Sequence, residues 1–303
     1  MTRRSTGSSF PGRTRPEGPE RLPRDSRGME ELLEALGLFP RRSQGQNFLL
    51  DPAVARDVAS LLPAPRGAPV VEIGGGLGAL SLALVEAGRE PLTVIERDPR
   101  LSAFLATNLP SRVRVLTADA LTVRLPAARH FAGNLPFRGA TEILLRLLGS
   151  GMEAGVFLVQ EEVADRLAAS AGSREYGRLT VRFALEGRFS PGRQVPSSAF
   201  YPPPRVRGRV VVWEREHPTL PRPLEGCLEK LLAGAFAHRR KMLGGTLPGV
   251  LRAWGGSPRE RPERLLAQAN WPEDWPRRRA EEIPPEAYRS LAERLAEAPG
   301  PSG

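Results

Sequence analysis

Apolar positions from Met29 onward fall at helical spacing, with Leu32, Leu33, Leu36 and Leu38 carrying the pattern. A polar loop with Gly45, Gln46 and Asn47 follows, and residues 52–62 read as a second helix. Short apolar runs then alternate with helical segments. Val70–Ile73, Leu92–Ile95, Val113–Leu116, Phe131–Asn134 and Val156–Gln160 read as strands, with helices over 77–88, 99–108 and 139–149. This rhythm predicts an α/β fold built on a parallel, doubly wound sheet. Leu179–Phe189 and Arg209–Trp213 read as two further strands that close one side of it. A boundary falls at 215–222, and the chain then reads helical over 223–237, 239–254, 260–268 and 285–296. The expected organisation is a disordered basic tail over 1–28, a Rossmann-like domain over 29–215, a small C-terminal helical domain over 222–297 and a tail over 298–303.

Composition narrows the chemistry. The 303 residues carry 44 basic and 34 acidic side chains, a net charge of +10, and only Lys230 and Lys241 are lysines. An arginine-dominated surface of this sign favours phosphate-bearing partners. The single cysteine, Cys227, excludes an intrachain disulfide and a cysteine-built metal site, and His130, His217 and His238 lie far apart. No metal is expected. The most apolar stretch, Val70 to Ala87, contains Glu72, Glu86 and four glycines, so no membrane span is expected. The N-terminus lacks the apolar core of a secretory signal, and the expected setting is cytoplasmic. Without a coiled-coil seam, a monomer is expected.

Val70-Val-Glu-Ile-Gly-Gly-Gly-Leu-Gly78 ends a predicted strand and opens a helix. Glycines there let the backbone turn sharply and approach a ligand. Glu96, at the end of the next strand, suits the two hydroxyls of a ribose, and Asp119, after the third, an adenine amino group. The constellation points to an adenosine-containing cofactor. The glycine spacing fits a dinucleotide or S-adenosylmethionine equally well.

Ala132-Gly-Asn134-Leu135-Pro136-Phe137 ends the fourth predicted strand, on the side of the sheet where ligands bind. An exocyclic amine on a base is a poor nucleophile, because its lone pair is delocalised into the ring. The Asn134 side-chain oxygen and the Leu135 carbonyl can accept its two N–H groups and turn the lone pair toward an electrophilic methyl, with Phe137 stacked on the ring. Orientation then carries the chemistry without a strong base. A turn asparagine before proline is the plainer reading of Asn134 alone.

These residues together resemble the adenine-N6,N6 dimethyltransferases of ribosomal RNA, in the small-subunit (KsgA/RsmA) branch. The resemblance covers 29–297 and is carried by Asn134-Leu-Pro-Phe137 after the glycine loop. Gln46-Asn-Phe-Leu49, the loop Phe200-Tyr-Pro-Pro-Pro-Arg-Val206 and the basic segment Ala235-Phe-Ala-His-Arg-Arg-Lys-Met-Leu243 extend it. It implies a class I S-adenosylmethionine-dependent methyltransferase domain. The implied cofactor residues are Gln46, Asn47, Leu49, Glu72, Gly74, Gly76, Glu96, Asp119, Ala120 and Asn134. The implied catalytic set is Asn134, Leu135, Pro136, Phe137 and Phe200, with Phe200 sandwiching the target adenine against Phe137. The family usually has tyrosine where Phe137 stands, and an acid where Arg207 stands.

Arg205, Arg207 and Arg209 alternate on a predicted strand, and His238, Arg239, Arg240 and Lys241 lie on a predicted helix. Such runs are commonly solvated faces; under the resemblance Arg205, Arg207 and the 238–241 group become RNA contacts. Trp254, Trp271, Trp275 and Cys227 are expected in the core. The implied activity is dimethylation of two adjacent adenines in a 3′-terminal hairpin loop of small-subunit RNA, with that RNA or a pre-ribosomal particle as partner. The alternatives are a large-subunit methyltransferase of the antibiotic-resistance type and a non-catalytic assembly factor.

Overall fold

The computed structural model describes residues 22–39, 46–239, 241–247 and 273–297. Local sequence sets the helix starts. Asp25, Asp51 and Asp98 each accept a backbone N–H of the first turn, opening α1 (Ser26–Ala35), α2 (Pro52–Ser60) and α4 (Pro99–Asn108), and proline at the start of the last two presets the helical φ.

Seven of the strands form the main sheet, in the order β4-β3-β2-β5-β6-β9-β7. β2 (Val70–Ile73), β3 (Leu92–Glu96), β4 (Arg114–Thr117), β5 (His130–Asn134) and β6 (Ala154–Gln160) run parallel. β9 (Gly208–Arg215) and β7 (Gly187–Val195) add an antiparallel edge. β2 is buried throughout, as a central strand covered on both faces must be. One apolar layer packs α2 and α3 (Ala79–Glu86) on the first face. Another packs α5 (Ala140–Gly149) and α6 (Glu161–Leu167) on the second. The strand order reverses between β2 and β5, which opens a crevice at their carboxyl ends.

The run Leu179–Phe189 is not a strand. Its first part is α7 (Arg178–Ala184), and β7 begins only at Gly187. Its apolar residues serve two cores: Leu179 and Phe183 pack under the sheet, Val181 and Leu185 on the C-terminal helices. Residues that are apolar on two sides of a short helix mimic a β-rich run.

The C-terminal unit comprises α8 (Arg222–Ala237) and α9 (Pro285–Glu297) around a core of Leu228, Leu231, Trp275, Ile283 and Tyr288. Tyr176, Val181 and Leu185 complete that core from before the 215–222 boundary. A buried ionic cluster reinforces the junction. Arg182 lies within 3.2 Å of Glu186 and donates to Glu225 at 2.8 Å, with Glu229 at 2.5 Å. Arg215 also binds Glu186, and Arg178 binds Glu229. Trp275 and Cys227 are buried as expected, while Trp254 and Trp271 lie outside the described residues. So do the segments 1–21 and 298–303, predicted helix 260–268 and, within 239–254, residues 240 and 248–254. Among the described residues no helix is long and apolar enough to cross a membrane.

Candidate active site

The crevice at the carboxyl ends of β2, β3, β4 and β5 holds a cavity of about 420 Å³. Gln46, Asn47, Leu49, Glu72, Gly74, Gly76, Glu96, Asp119, Ala120, Asn134, Leu135 and Pro136 all line it. Residues up to 90 positions apart in sequence are thus brought to one wall by the parallel topology.

The glycine loop is built around Glu96. Gly76 adopts φ +55°, and its N–H donates to Glu96 Oε2 at 2.9 Å, while the Asp98 N–H donates to Oε1 at 2.9 Å. A Cβ at Gly76 would also sit 3.4 Å from the Phe48 ring. Each carboxylate oxygen keeps a second lone pair for a ligand hydroxyl. Asp119 Oδ1 accepts the Leu121 N–H at 2.8 Å, which fixes the carboxylate at the cavity wall.

Glu72 differs from both. It is fully buried on β2; Ser81 Oγ donates to its Oε2, and Oε1 has no hydrogen-bond partner among the described residues. Burial pushes its carboxyl from 4.5 up to about 8, opposed by the Ser81 hydrogen bond and assisted by the charge of Glu96. A buried acceptor without a donor, on the wall of a cavity that also holds Glu96 and Asp119, suits a nucleoside ligand carrying positive charge.

Asn134 closes the other wall. Its Nδ2 donates to the Asn47 carbonyl at 2.9 Å, which orients the amide and assigns Oδ1 as the acceptor. The next residue is held too: the Leu135 N–H donates to Leu158 O at 3.0 Å. Gly133 permits this turn, because a Cβ there would lie 2.8 Å from the Ile73 carbonyl.

Two distant motifs meet beside Asn134. β1 (Phe48–Leu49) pairs antiparallel with β8 (Phe200–Tyr201), Phe48 opposite Tyr201 and Leu49 opposite Phe200, and the Leu50 N–H donates to Ala199 O at 2.8 Å. Phe200 is buried and meets Phe137 edge-on, with ring centroids 6.1 Å apart and planes at 66°. A base stacked between two rings needs about 7 Å between parallel faces. The sandwich implied at the sequence level therefore requires one ring to turn, and neither ring lines the cavity.

The basic residues are less uniform than their spacing suggests. Arg205 and Arg207 precede β9 rather than alternating along it. Arg205 is exposed without a partner among the described residues, whereas Arg207 binds Glu161 at 3.1 Å and Arg209 binds Asp165 at 3.3 Å. The helix ends at Ala237, so His238, Arg239 and Lys241 are not helical; His238 is exposed at the cap with φ −131°. Arg239 binds Glu281 at 2.9 Å and donates to the Arg174 carbonyl, which makes it a tie within the C-terminal unit. Arg240 lies outside the described residues. Sequence reasoning also missed wall residues. Phe48 sits inside the motif already singled out, and Arg97 and Leu121 directly follow the strand-end residues Glu96 and Ala120. Arg138 follows Phe137, and Leu101 carries no local signal beyond its helix.

Residues 39–251 match the family model described as ribosomal RNA adenine dimethylase. Ribosomal RNA small subunit methyltransferase A of Gluconobacter oxydans is 38% identical over 88% of this chain and 86% of its own. The protein of the same name from Rhodospirillum rubrum is 37% identical over 87% and 91%. Among solved structures, a dimethyladenosine transferase from Plasmodium falciparum superposes with TM-score 0.67 at 20% identity, covering 80% of this chain and 95% of that one. The 23S rRNA methyltransferase ErmE superposes with TM-score 0.56 at 26% identity, covering 82% and 99%.

Proposed function

The chain belongs to the ribosomal RNA adenine dimethylase family, and on that premise we propose that it transfers methyl groups from S-adenosylmethionine to N6 of two adjacent adenines in a 3′-terminal hairpin loop of small-subunit ribosomal RNA. The small-subunit substrate is favoured over the large-subunit one by identity: 38% and 37% to small-subunit methyltransferases against 26% to ErmE. A purely non-catalytic role has no use for an oriented Asn134 in the cavity of the glycine loop. That juxtaposition is the observation that carries the proposal.

When bound, the cofactor supplies an electrophilic methyl on a sulfonium. Glu96 holds the ribose hydroxyls, Asp119 the adenine amino group, and Gly74 and Gly76 give the backbone close access. Gln46, Asn47, Leu49 and Ala120 complete the wall, and Glu72 answers the positive charge. Asn134 Oδ1 and the Leu135 carbonyl accept the two N6 hydrogens, while Asn134 Nδ2 stays tied to Asn47 O. The N6 lone pair is thereby turned out of conjugation, and the proton shed after methylation passes to water. Pro136 fixes the path of the chain toward Phe137, which stacks on the base with Phe200 once the two rings part. Proximity and orientation provide the acceleration.

In this reading residues 29–215 form the catalytic unit and 222–297 the helical RNA-binding unit. Arg205, Arg207, His238, Arg240 and Lys241 contact RNA phosphate, and the enzyme works as a cytoplasmic monomer on the RNA or a pre-ribosomal particle. Asn134→Ala tests the assignment. Methyl transfer should fall about 10²–10³-fold, the scale of losing one positioned polar group, while cofactor affinity, read by calorimetry, changes less than about fivefold. A variant that retains activity would remove Asn134 from the chemistry, and one that loses its circular dichroism spectrum would make it structural.

A further inference from the structure

A second cavity, of about 750 Å³, lies at the opposite ends of the strands from the active site. Arg114 begins β4, Arg124 and Arg129 lie in the loop that leads into β5, and Ser150 stands between α5 and β6. Thr219 joins them from the segment between β9 and α8. Along β5 the two linings are five residues apart, from Arg129 to Asn134, about 16 Å at 3.3 Å per residue, whereas Leu116 and Ala118 bring them within two residues of each other beside β4.

The electrostatics of this cavity differ from those of the surrounding surface. Three arginines line it and no acidic residue does. Arg129 is bound by Glu153. Arg114 and Arg124 are exposed, and their side chains make no ion pair or hydrogen bond among the described residues. Some surface arginines are answered by carboxylates, as Arg56 is by Glu86 and Arg112 by Glu90, and others, such as Arg66, Arg97 and Arg205, are not; what sets this cavity apart is three arginines on one lining without an acid. Two uncompensated guanidinium groups on one cavity lining raise the local positive potential, which favours an anion there. Their planar donor forks match phosphate oxygens in pairs. The apolar floor of Leu116, Leu125 and Pro126 suits the ribose face of a nucleic-acid backbone rather than a fully hydrated small anion.

We propose that this cavity is a second RNA contact, where Arg114 and Arg124 grip backbone phosphates of the ribosomal RNA remote from the methylated bases. The proposal rests on the reading of the protein as an RNA methyltransferase and adds a second contact surface for that RNA. An RNA that occupies the cleft and also reaches the far end of the sheet is a folded subunit or large RNA domain, not an isolated hairpin. Thr219 places the contact beside the start of the helical unit, so one RNA surface can touch both.

The test compares full-length wild type with R114Q/R124Q and with R56Q/R188Q, which removes the same charge elsewhere. Equilibrium binding is measured without cofactor, to purified unmethylated small ribosomal subunits and to a short hairpin oligonucleotide, across a salt series. R114Q/R124Q should bind subunits about 10-fold more weakly at 0.15 M salt. Its log-affinity against log-salt slope should be shallower by about 1.4 to 1.8, one phosphate contact per arginine, while its hairpin binding and cofactor affinity stay at wild-type values. Unchanged subunit affinity and slope would overturn the proposal, as would an equal loss in R56Q/R188Q or an equal loss on the hairpin. Because binding is read without methylation, a wild type that binds subunits but transfers no methyl would refute the catalytic reading while leaving this comparison decisive.

Discussion

Glu72 offers the most quantitative prediction. It is fully buried, Oε1 lacks a partner, and its carboxyl is pushed to about 8. In the unfolded chain the same group titrates near 4.5. A raised acid means that the folded state holds the proton longer than the unfolded state does. Its contribution to stability is therefore complete below pH 4.5 and is lost progressively as pH rises to about 8. The gap between 4.5 and about 8, at about 1.4 kcal/mol per pH unit, amounts to a loss of about 5 kcal/mol across that window. Glu72→Gln keeps the shape and removes the titration. It carries a pH-independent cost of about 1–2 kcal/mol, because an amide N–H₂ has no acceptor where Oε1 stood. Urea unfolding of both proteins without cofactor, at pH 5, 6.5 and 8.5, should show the stability difference shifting toward the variant by several kcal/mol as pH rises. Parallel pH profiles would refute the reasoning. The same logic predicts that a cationic cofactor expels the Glu72 proton, seen as proton release when calorimetric titrations at pH 7 are repeated in buffers of different ionisation heat.

Phe137→Tyr should keep kcat within about threefold, whereas Phe137→Ala should lower kcat/KM about 5- to 150-fold, the equivalent of 1–3 kcal/mol of base stacking; steady-state kinetics on small subunits decides it. Gly76→Ala forces a side chain into φ +55° against the Phe48 ring, and thermal melts should show a loss of about 1–2 kcal/mol. Arg182→Met leaves carboxylates of the buried cluster between α7 and α8 short of a cation. Urea unfolding should report a loss of about 3 kcal/mol, and a loss below about 1 kcal/mol would mean the cluster only breaks even.

The parallel core was legible because each strand is a short apolar run bounded by turn residues, and its order puts Gly74, Glu96, Asp119 and Asn134 at one edge without further information. The pairing of β1 with β8 was not legible. Two two-residue strands have no period to detect, and only tertiary packing joins Leu49 to Phe200. α7 was misread because its apolar residues serve two cores at once. The pairing of the basic stretches was not legible for a different reason. Charge in sequence does not reveal its counter-charge in space: Arg239 is consumed by Glu281, while Arg114 and Arg124, with no motif around them, are left unanswered. The edge-on packing of Phe137 and Phe200 likewise depends on rotamers that no sequence pattern encodes.

Methylation of adenine N6 in small-subunit RNA at this cavity can be read directly from the labelled product. Tritiated S-adenosylmethionine would be supplied with unmethylated small or large ribosomal subunits, and the RNA digested to nucleosides. The account predicts label in N6,N6-dimethyladenosine from the small subunit alone, lost in Asn134→Ala. Label in the large subunit, or in no RNA despite measurable cofactor binding, would contradict it.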